Sequence, residues 1–335
     1  MKNKHSFRKL PFLLFVIFLA TSCSDEIDRP VFPLSAEIFH SVSDKQVAFT
    51  ALTHSAVNWS WDFGDGKTST EQNPVHVYDD GGYYVAKLIA TDASGNSATS
   101  EVNLAIALTP YVLLTGGPTA TNGKTWKLTA SHTTNDKIVN SDANLSLFDE
   151  DIPSLPIGAI DLYLGLGEAY DDEFTFYFDG SYGHDTKDGA GFGGIVYAMV
   201  AQQMGISTIT KTGGEAVFGQ DAFAFATYSP EADAKFVFVE KEDFSIPTIP
   251  DFATAVVPPG IPIVTYPNVM TIDFPNSTEF VGLMDFHRKV IVQEVNDNTM
   301  RLVMFMTLSP DAIVSQSPLI ALSTTAMILT FEVVK

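Results

Sequence analysis

Three acidic residues in a row, Asp171-Asp172-Glu173, are the first candidates for chemistry, because hydrolysis of a glycosidic bond uses two carboxyl groups a few ångströms apart. If they start a strand, neighbours point to opposite faces and only Asp171 and Glu173 share a side. The same residues also read as a structural turn leading into a strand. A second set binds rather than reacts. Tyr163, Tyr170, Tyr182, His184, Asp185 and Phe192 combine flat rings with polar side chains. A pyranose has a face of C–H groups that suits a ring and a rim of hydroxyls that suits Asp or His, so this set fits a sugar. Tyr182-Gly183-His184-Asp185 is its densest part, following an Asp179-Gly180 turn where glycine lets a ligand approach the backbone. Tyr170 and Tyr182 also fit cross-strand packing in a hairpin. Trp126, between Lys124 and Lys127 in a short strand, reads as a core anchor.

Other catalytic patterns are missing. There is no Glu-x-Asp-x-x-Glu run and no Gly-x-Ser-x-Gly elbow, and Glu240-Lys241-Glu242-Asp243 reads as a solvated cluster at a strand end. The histidines at 40, 54, 76, 132, 184 and 287 are scattered, without metal-ligand spacing. Gly117 to Gly123-Lys124-Thr125 has one residue too many for a phosphate loop and runs into a strand. No enzyme activity, cofactor or metal is expected. Asp62, Asp65 and Asp92 are hard oxygen donors that could face calcium, but turn chemistry explains them better, since no regular ligand loop surrounds them.

The elements that must position these residues are strands. Trp59, Trp61 and Phe63 alternate with Ser60 and Asp62, and Tyr84, Ala86, Leu88 and Ala90 share one face of a second run, which Gly81-Gly82 opens. Gly64-Asp65-Gly66 breaks the first strand. Downstream, runs at 125–129, 173–178, 223–227, 235–240, 269–274, 289–295, 300–307 and 327–333 are strand-like, many separated by Gly, Pro, Asn or Asp. Asp179-Gly180 and Asn296-Asp297-Asn298 are candidate hairpin turns. Only 193–204 has a helical composition. The proline-rich stretch from Phe244 to Pro267 reads as a binding or covering loop. The fold expected is all-β: a small N-terminal sandwich, then a larger antiparallel sandwich or barrel with one short helix.

The string from Trp59 to Asp92, with Trp61-Asp62-Phe63-Gly64-Asp65-Gly66, Asn73-Pro74, His76, Tyr78, Gly82, Tyr84, Val85 and Leu88, resembles the polycystic-kidney-disease (PKD) domain. That resemblance implies an immunoglobulin-like sandwich serving as an extracellular spacer. Leu114-Thr115-Gly116-Gly117, Gly123 to Leu128, and Tyr170 to Phe176 with Asp179-Gly180 are similar to the C-terminal domains of PKD-bearing lipoproteins from polysaccharide-utilisation systems. Between the latter two segments that family carries paired tryptophans. Here the stretch from Pro153 to Ala169 reads PSLPIGAIDLYLGLGEA, with Tyr163 its one aromatic.

Compartment is read from the N-terminus. Lys2, Lys4, Arg8 and Lys9 precede an apolar run from Leu10 to Ala20, too short to span a bilayer and laid out as a secretory signal. Leu19-Ala20-Thr21-Ser22-Cys23 resembles a bacterial lipobox, with Ala20 where leucine is usual, and Cys23 is the sole cysteine. The resemblance implies lipidation of Cys23. Ser24-Asp25-Glu26-Ile27-Asp28 resembles the signal that exports lipoproteins to the outer face of the outer membrane. The chain carries 19 Lys+Arg against 40 Asp+Glu, a net charge of −21, which disfavours nucleic acid.

The expected domains are a signal peptide at 1–22, a tether at 23–33, a PKD domain at 34–108 and a β-rich glycan-binding domain at 110–335. The expected function is an outer-membrane surface lipoprotein that binds a polysaccharide or oligosaccharide without cleaving it, beside a glycan transporter. The glycan-binding candidates are Tyr163, Tyr182, His184, Asp185 and Phe192. An adhesion or scaffold lipoprotein with protein partners, or a cryptic glycoside hydrolase acting through Asp171 and Glu173, are the alternatives.

Overall fold

A computed structural model describes residues 32–142, 144–145, 154–247, 263–307 and 325–335. Cys23, the signal region, nearly all of the tether and the middle of the proline-rich stretch lie outside the described residues. Seven strands build the N-terminal unit: β1 (Ser35–Ser43), β2 (Gln46–His54), β3 (Asn58–Asp62), β4 (Thr68–Ser69), β5 (Val75–Val77), β6 (Gly82–Thr91) and β7 (Ser97–Ile106). They form two sheets, β1-β2-β5 and β4-β3-β6-β7. The alternation in the sequence becomes the inner face. Phe49, Trp61, Phe63, Tyr84, Ala86 and Leu88 pack in one core, while Trp59, half-buried, donates its indole N–H to Thr53 Oγ1 at 3.3 Å. The three aspartates serve turns: Asp62 accepts from Gly64 N at 2.9 Å, Asp65 from Lys67 N at 3.0 Å, and Asp92 from Ser94 N at 2.8 Å. Gly64 has φ +80° and a Cβ there would meet Val85 O at 2.6 Å, so no other residue fits.

The chain passes out of this unit at Thr109-Pro110. Thr109 Oγ1 caps the short helix α1 (Pro110–Thr115), with proline in its first turn, accepting from Val112 N at 3.3 Å. The loop that follows returns to the first unit, where Thr119 Oγ1 donates to Tyr83 O at 2.6 Å and Pro118 packs on Gly82.

The larger unit is a sandwich. Its main sheet runs β11 (Tyr182–Asp185), β10 (Glu173–Phe176), β8 (Lys124–Leu128), β19 (Thr325–Val333), β18 (Thr299–Met306), β17 (Val290–Val295), β16 (Ile263–Asp273) and β15 (Val237–Pro247), with β9 (Lys137–Asn140) also paired to β19. A second sheet, β12 (Ala190–Gly194), β14 (Phe223–Thr227) and β13 (Ile209–Gly213), shares a core with one face of the main sheet. Phe192, Phe223, Leu302, Met304, Leu329 and Phe331 meet there. The other face is also covered in part: Val303, Phe305, Ala326 and Ile328 join Phe244 and Tyr266 in a smaller core. Burial on both sides explains why β18 and β19 read as continuous apolar runs rather than alternating ones.

Two expectations are corrected. The helix expected at 193–204 is α3 (Ile195–Gln203), with Gly193 and Gly194 belonging to β12, but it is not alone. Besides α1 there are α2 (Ala159–Leu164), α4 (Glu215–Phe218) and a 3₁₀ turn (Gly167–Tyr170), each too short to leave a periodic signal. Glu240 to Asp243 do not end a strand. They lie inside β15 at a register irregularity, where Glu242 pairs with Lys289 at 2.8 Å and accepts from Thr271 Oγ1.

Candidate glycan-binding cleft

The β10–β11 hairpin carries the site. Phe176 pairs directly with Tyr182 and Thr175 with Gly183. Phe174 and Phe176 face the core, so Thr175 and then Tyr177 face outward and Tyr182 must face inward. The Asp179-Gly180 turn closes through Gly180 N to Tyr177 O and Ser181 N to Asp179 Oδ1, at 3.0 and 2.9 Å. Residues 232–236 then run beside the hairpin, with Tyr182 N donating to Ala234 O and Phe236 N to Gly180 O.

Between these segments and the loop after α1 lies a cleft of about 630 Å³. Tyr177 and Phe178 supply its rings, Asp179, Ser181, Asp233 and Lys235 its polar rim, and Pro118 and Thr121 its far wall. The Tyr177 ring lies between two glycines. A Cβ on Gly123 would stand 3.0 Å from Tyr177 Cδ1, and one on Gly183 would stand 3.7 Å from Cε2. Gly123, just before β8, and Gly183, in β11, thus leave no side chain of their own against the ring. Lys235 Nζ donates to Ser181 Oγ and stands 3.9 Å from Asp179. The Asp179 carboxyl is held below its ordinary value, chiefly by the Ser181 backbone N–H, and stays an exposed acceptor. Ring plus carboxylate, hydroxyl and ammonium are the groups a pyranose engages: the ring takes the C–H face and the rim takes the hydroxyls.

The residues singled out from the sequence do not converge here. Tyr182 lines the cleft but is 4% exposed; its ring packs 5.1 Å from Phe176 and its hydroxyl donates to Phe280 O at 2.5 Å. His184 is buried at the side chain and meets Glu279 Oε2 through Nδ1 at 3.1 Å. Phe192 is 1% exposed, stacked on Phe223 at 5.4 Å. None of the three presents a ring face outward, because strand parity and the second sheet turn them into the core. Asp185 is exposed and tied to Lys187 at 2.5 Å. Tyr163, 45% exposed on α2, borders a separate apolar pocket of about 260 Å³ with Ile138, Leu155, Ile160 and Phe218. Tyr170 belongs to a closed network: its hydroxyl meets His132 Nε2 at 2.8 Å and accepts from Ile160 N at 2.9 Å, while His132 Nδ1 meets Asp136 Oδ2 at 2.9 Å. Trp126 is buried and donates to Leu114 O at 2.9 Å.

Tyr177, Asp233 and Lys235 were not singled out from the sequence. Tyr177 was legible, since it continues the outward positions Glu173 and Thr175 of a strand whose inward positions are phenylalanines. Of the acidic run, Asp171 is exposed, Glu173 pairs with Lys187 at 3.0 Å, and Asp172 turns inward. Burial, reinforced by Asp188, pushes the Asp172 carboxyl up to about 8.

Residues 39–106 match the model of the PKD domain family, and the N-terminal sandwich is a PKD domain. Collagenase ColQ1 of Bacillus cereus (strain Q1) is 50% identical over 50 residues, 15% of this chain and 5% of that protein. A microbial collagenase of Vibrio alginolyticus is 45% identical over 47 residues, 14% of this chain and 6% of its own length. This chain thus spans about a twentieth of the length of the curated relatives it matches. Among solved structures, the PKD1 domain of the Vibrio cholerae metalloprotease PrtV aligns over 23% of this chain and 100% of its own at 28% identity, with a TM-score of 0.22. A structure described as a carbohydrate-binding module of the β-sandwich superfamily with promiscuous specificity aligns over 92% of this chain and 94% of its own, at 13% identity and a TM-score of 0.24.

Proposed function

We propose that this protein binds a polysaccharide without cleaving it, in the cleft over the Asp179-Gly180 hairpin, with the PKD domain as spacer. The carrying observation is Tyr177, an outward ring between Gly123 and Gly183, bordered by Asp179, Ser181, Asp233 and Lys235. Flat ring and polar rim give a sugar both kinds of contact. Neither Asp171, exposed beside the strand start, nor Glu173, paired with Lys187 at 3.0 Å, lines the cleft, which supports a binding role over a catalytic one. In this reading Cys23 is acylated and holds the chain on the outer face of the outer membrane, where it hands glycan to a transporter.

Affinity electrophoresis and isothermal titration against a panel of soluble plant, algal, fungal and host glycans test the proposal. Retardation by at least one glycan is expected, and Tyr177→Ala should weaken it about tenfold, the equivalent of ~1.4 kcal/mol of stacking. No retardation with any glycan sinks it. Incorporation of labelled palmitate into the full chain, lost in Cys23→Ala, checks the anchor. One observation favours a protein-contacting adhesin instead: the outer face of β1-β2-β5 exposes Phe39, Leu52, Val75 and Val77 together. Capture of an envelope or host protein, with no glycan retardation, decides for that reading.

A further inference from the structure

A third hollow lies between the end of β14, the segment after α3 and the loop around Thr278. Its volume is about 260 Å³, and Tyr197, Ser207, Thr227, Tyr228, Thr278 and Met284 are among its lining residues. Two of the lining hydroxyls, Ser207 Oγ and Tyr228 Oη, are buried without a partner in hydrogen-bond geometry among the described residues, although Glu279 and Thr278 flank the Tyr228 hydroxyl closely enough to act on it. Folded proteins leave few buried hydroxyls in that condition, because each forfeits its bonds to water without replacement. Here two of them line one cavity. Tyr197 Oη accepts from Arg288 Nη2 at 2.7 Å, so its own proton is left to donate elsewhere. Two further hydroxyls are engaged by the fold, Thr227 Oγ1 accepting from Thr208 N at 2.8 Å and Thr278 Oγ1 donating to Glu231 at 2.9 Å, while Ser229 is exposed at the rim.

Charge and shape narrow the ligand. The chain carries a net −21, yet no carboxylate is among the lining residues, and Glu279 and Arg288 stand behind the wall rather than in it. Burial and the neighbouring Glu279 hold the Tyr228 phenol well above its ordinary value, so it remains neutral and able to donate. Two tyrosine rings and the Met284 thioether supply apolar wall. The volume sits just under the roughly 300 Å³ at which small-molecule pockets begin, enough for one ring and not for a chain.

We propose that this cavity binds a single neutral pyranose, with Ser207, Tyr197 and Tyr228 bonding its oxygens, as a site separate from the hairpin cleft. It does not rest on the hairpin-cleft reading, since no residue is shared between the two. A pocket of this kind takes a free monosaccharide or a chain end, whereas the cleft takes a stretch of chain.

Saturation-transfer difference NMR on the full chain, with D-glucose, D-galactose, D-mannose and N-acetyl-D-glucosamine titrated one at a time, provides the test. At least one sugar should give saturable transfer, weakened about threefold to tenfold by Tyr228→Phe and by Ser207→Ala, the loss of one hydrogen bond in each case. Tyr177→Ala should leave that affinity unchanged. Ser207→Ala deletes a hydroxyl that no described residue pairs and should leave the melting temperature unchanged, which separates loss of a ligand contact from loss of structure; Tyr228→Phe, beside Glu279, is read for affinity alongside it. The inference is overturned if none of the four sugars gives saturable transfer, leaving water as the occupant, if both hydroxyl deletions leave affinity unchanged, or if the effect follows Tyr177→Ala.

Discussion

Tyr177 and Tyr182 lie on one hairpin and face opposite ways, and that difference decides which of them is turned away from the core. Single residues also set how the molecule responds to pH. Asp172 is 3% exposed with its carboxyl raised to about 8, and Asp285, fully enclosed, is raised by burial to about 7. An unfolded carboxyl titrates near ~4, so between about pH 4 and 8 the folded state holds protons that the unfolded chain has released. Stability therefore falls as pH rises through that window and levels off above it. Asp172→Asn, which keeps the shape of the protonated acid, should reduce the fall in melting temperature between pH 5 and pH 8. Equal slopes in the two proteins would remove Asp172 as its source. At Gly64, φ +80° and the contact with Val85 O make Gly64→Ala costly, about 2 kcal/mol or more in urea unfolding of the PKD domain.

At the scale of elements, the main sheet behaves as a buried layer rather than an amphipathic one. Leu302 of β18 is fully buried in the larger core, so Leu302→Ala should cost about 2–5 kcal/mol. Its neighbour Arg301 points the other way into a partly exposed pair with Glu294, and Arg301→Ala should cost under about 1 kcal/mol. Denaturant titration of both variants checks the contrast. The strands were legible because alternation marked β3, β6 and β10, and apolar runs marked β18 and β19. The site was less so. Tyr182 and Phe192 belong to aromatic-rich segments, but their direction depends on which residue each opposes, Phe176 and Phe225, and on a second sheet arriving over them. Register of that kind is a tertiary property. Asp233 and Lys235 reach the cleft only because residues 232–236 pair with the hairpin across a long stretch of chain, a neighbourhood with no local signal.

At the scale of the whole molecule, the two sandwiches are joined by more than the covalent chain. Thr119 bonds the backbone of Tyr83, and the Tyr83 hydroxyl donates to Asp297 in the β17–β18 turn. These contacts should fix the angle between the units. Small-angle scattering of Tyr83→Ala combined with Thr119→Val should show a broader distance distribution than the parent chain, and identical curves would mean that other contacts hold the angle. The loop that carries Thr119 also forms one wall of the hairpin cleft, through Pro118 and Thr121. If the proposed cleft holds a ligand, a pull on it would be shared between Pro110 and this side strut onto β6, whose ten-residue register with β7 lies inside the PKD sheet. The cleft wall and the PKD sheet are thus tied at two points, and in the proposed reading tension that would peel a single-linker domain away from its spacer would be met at both.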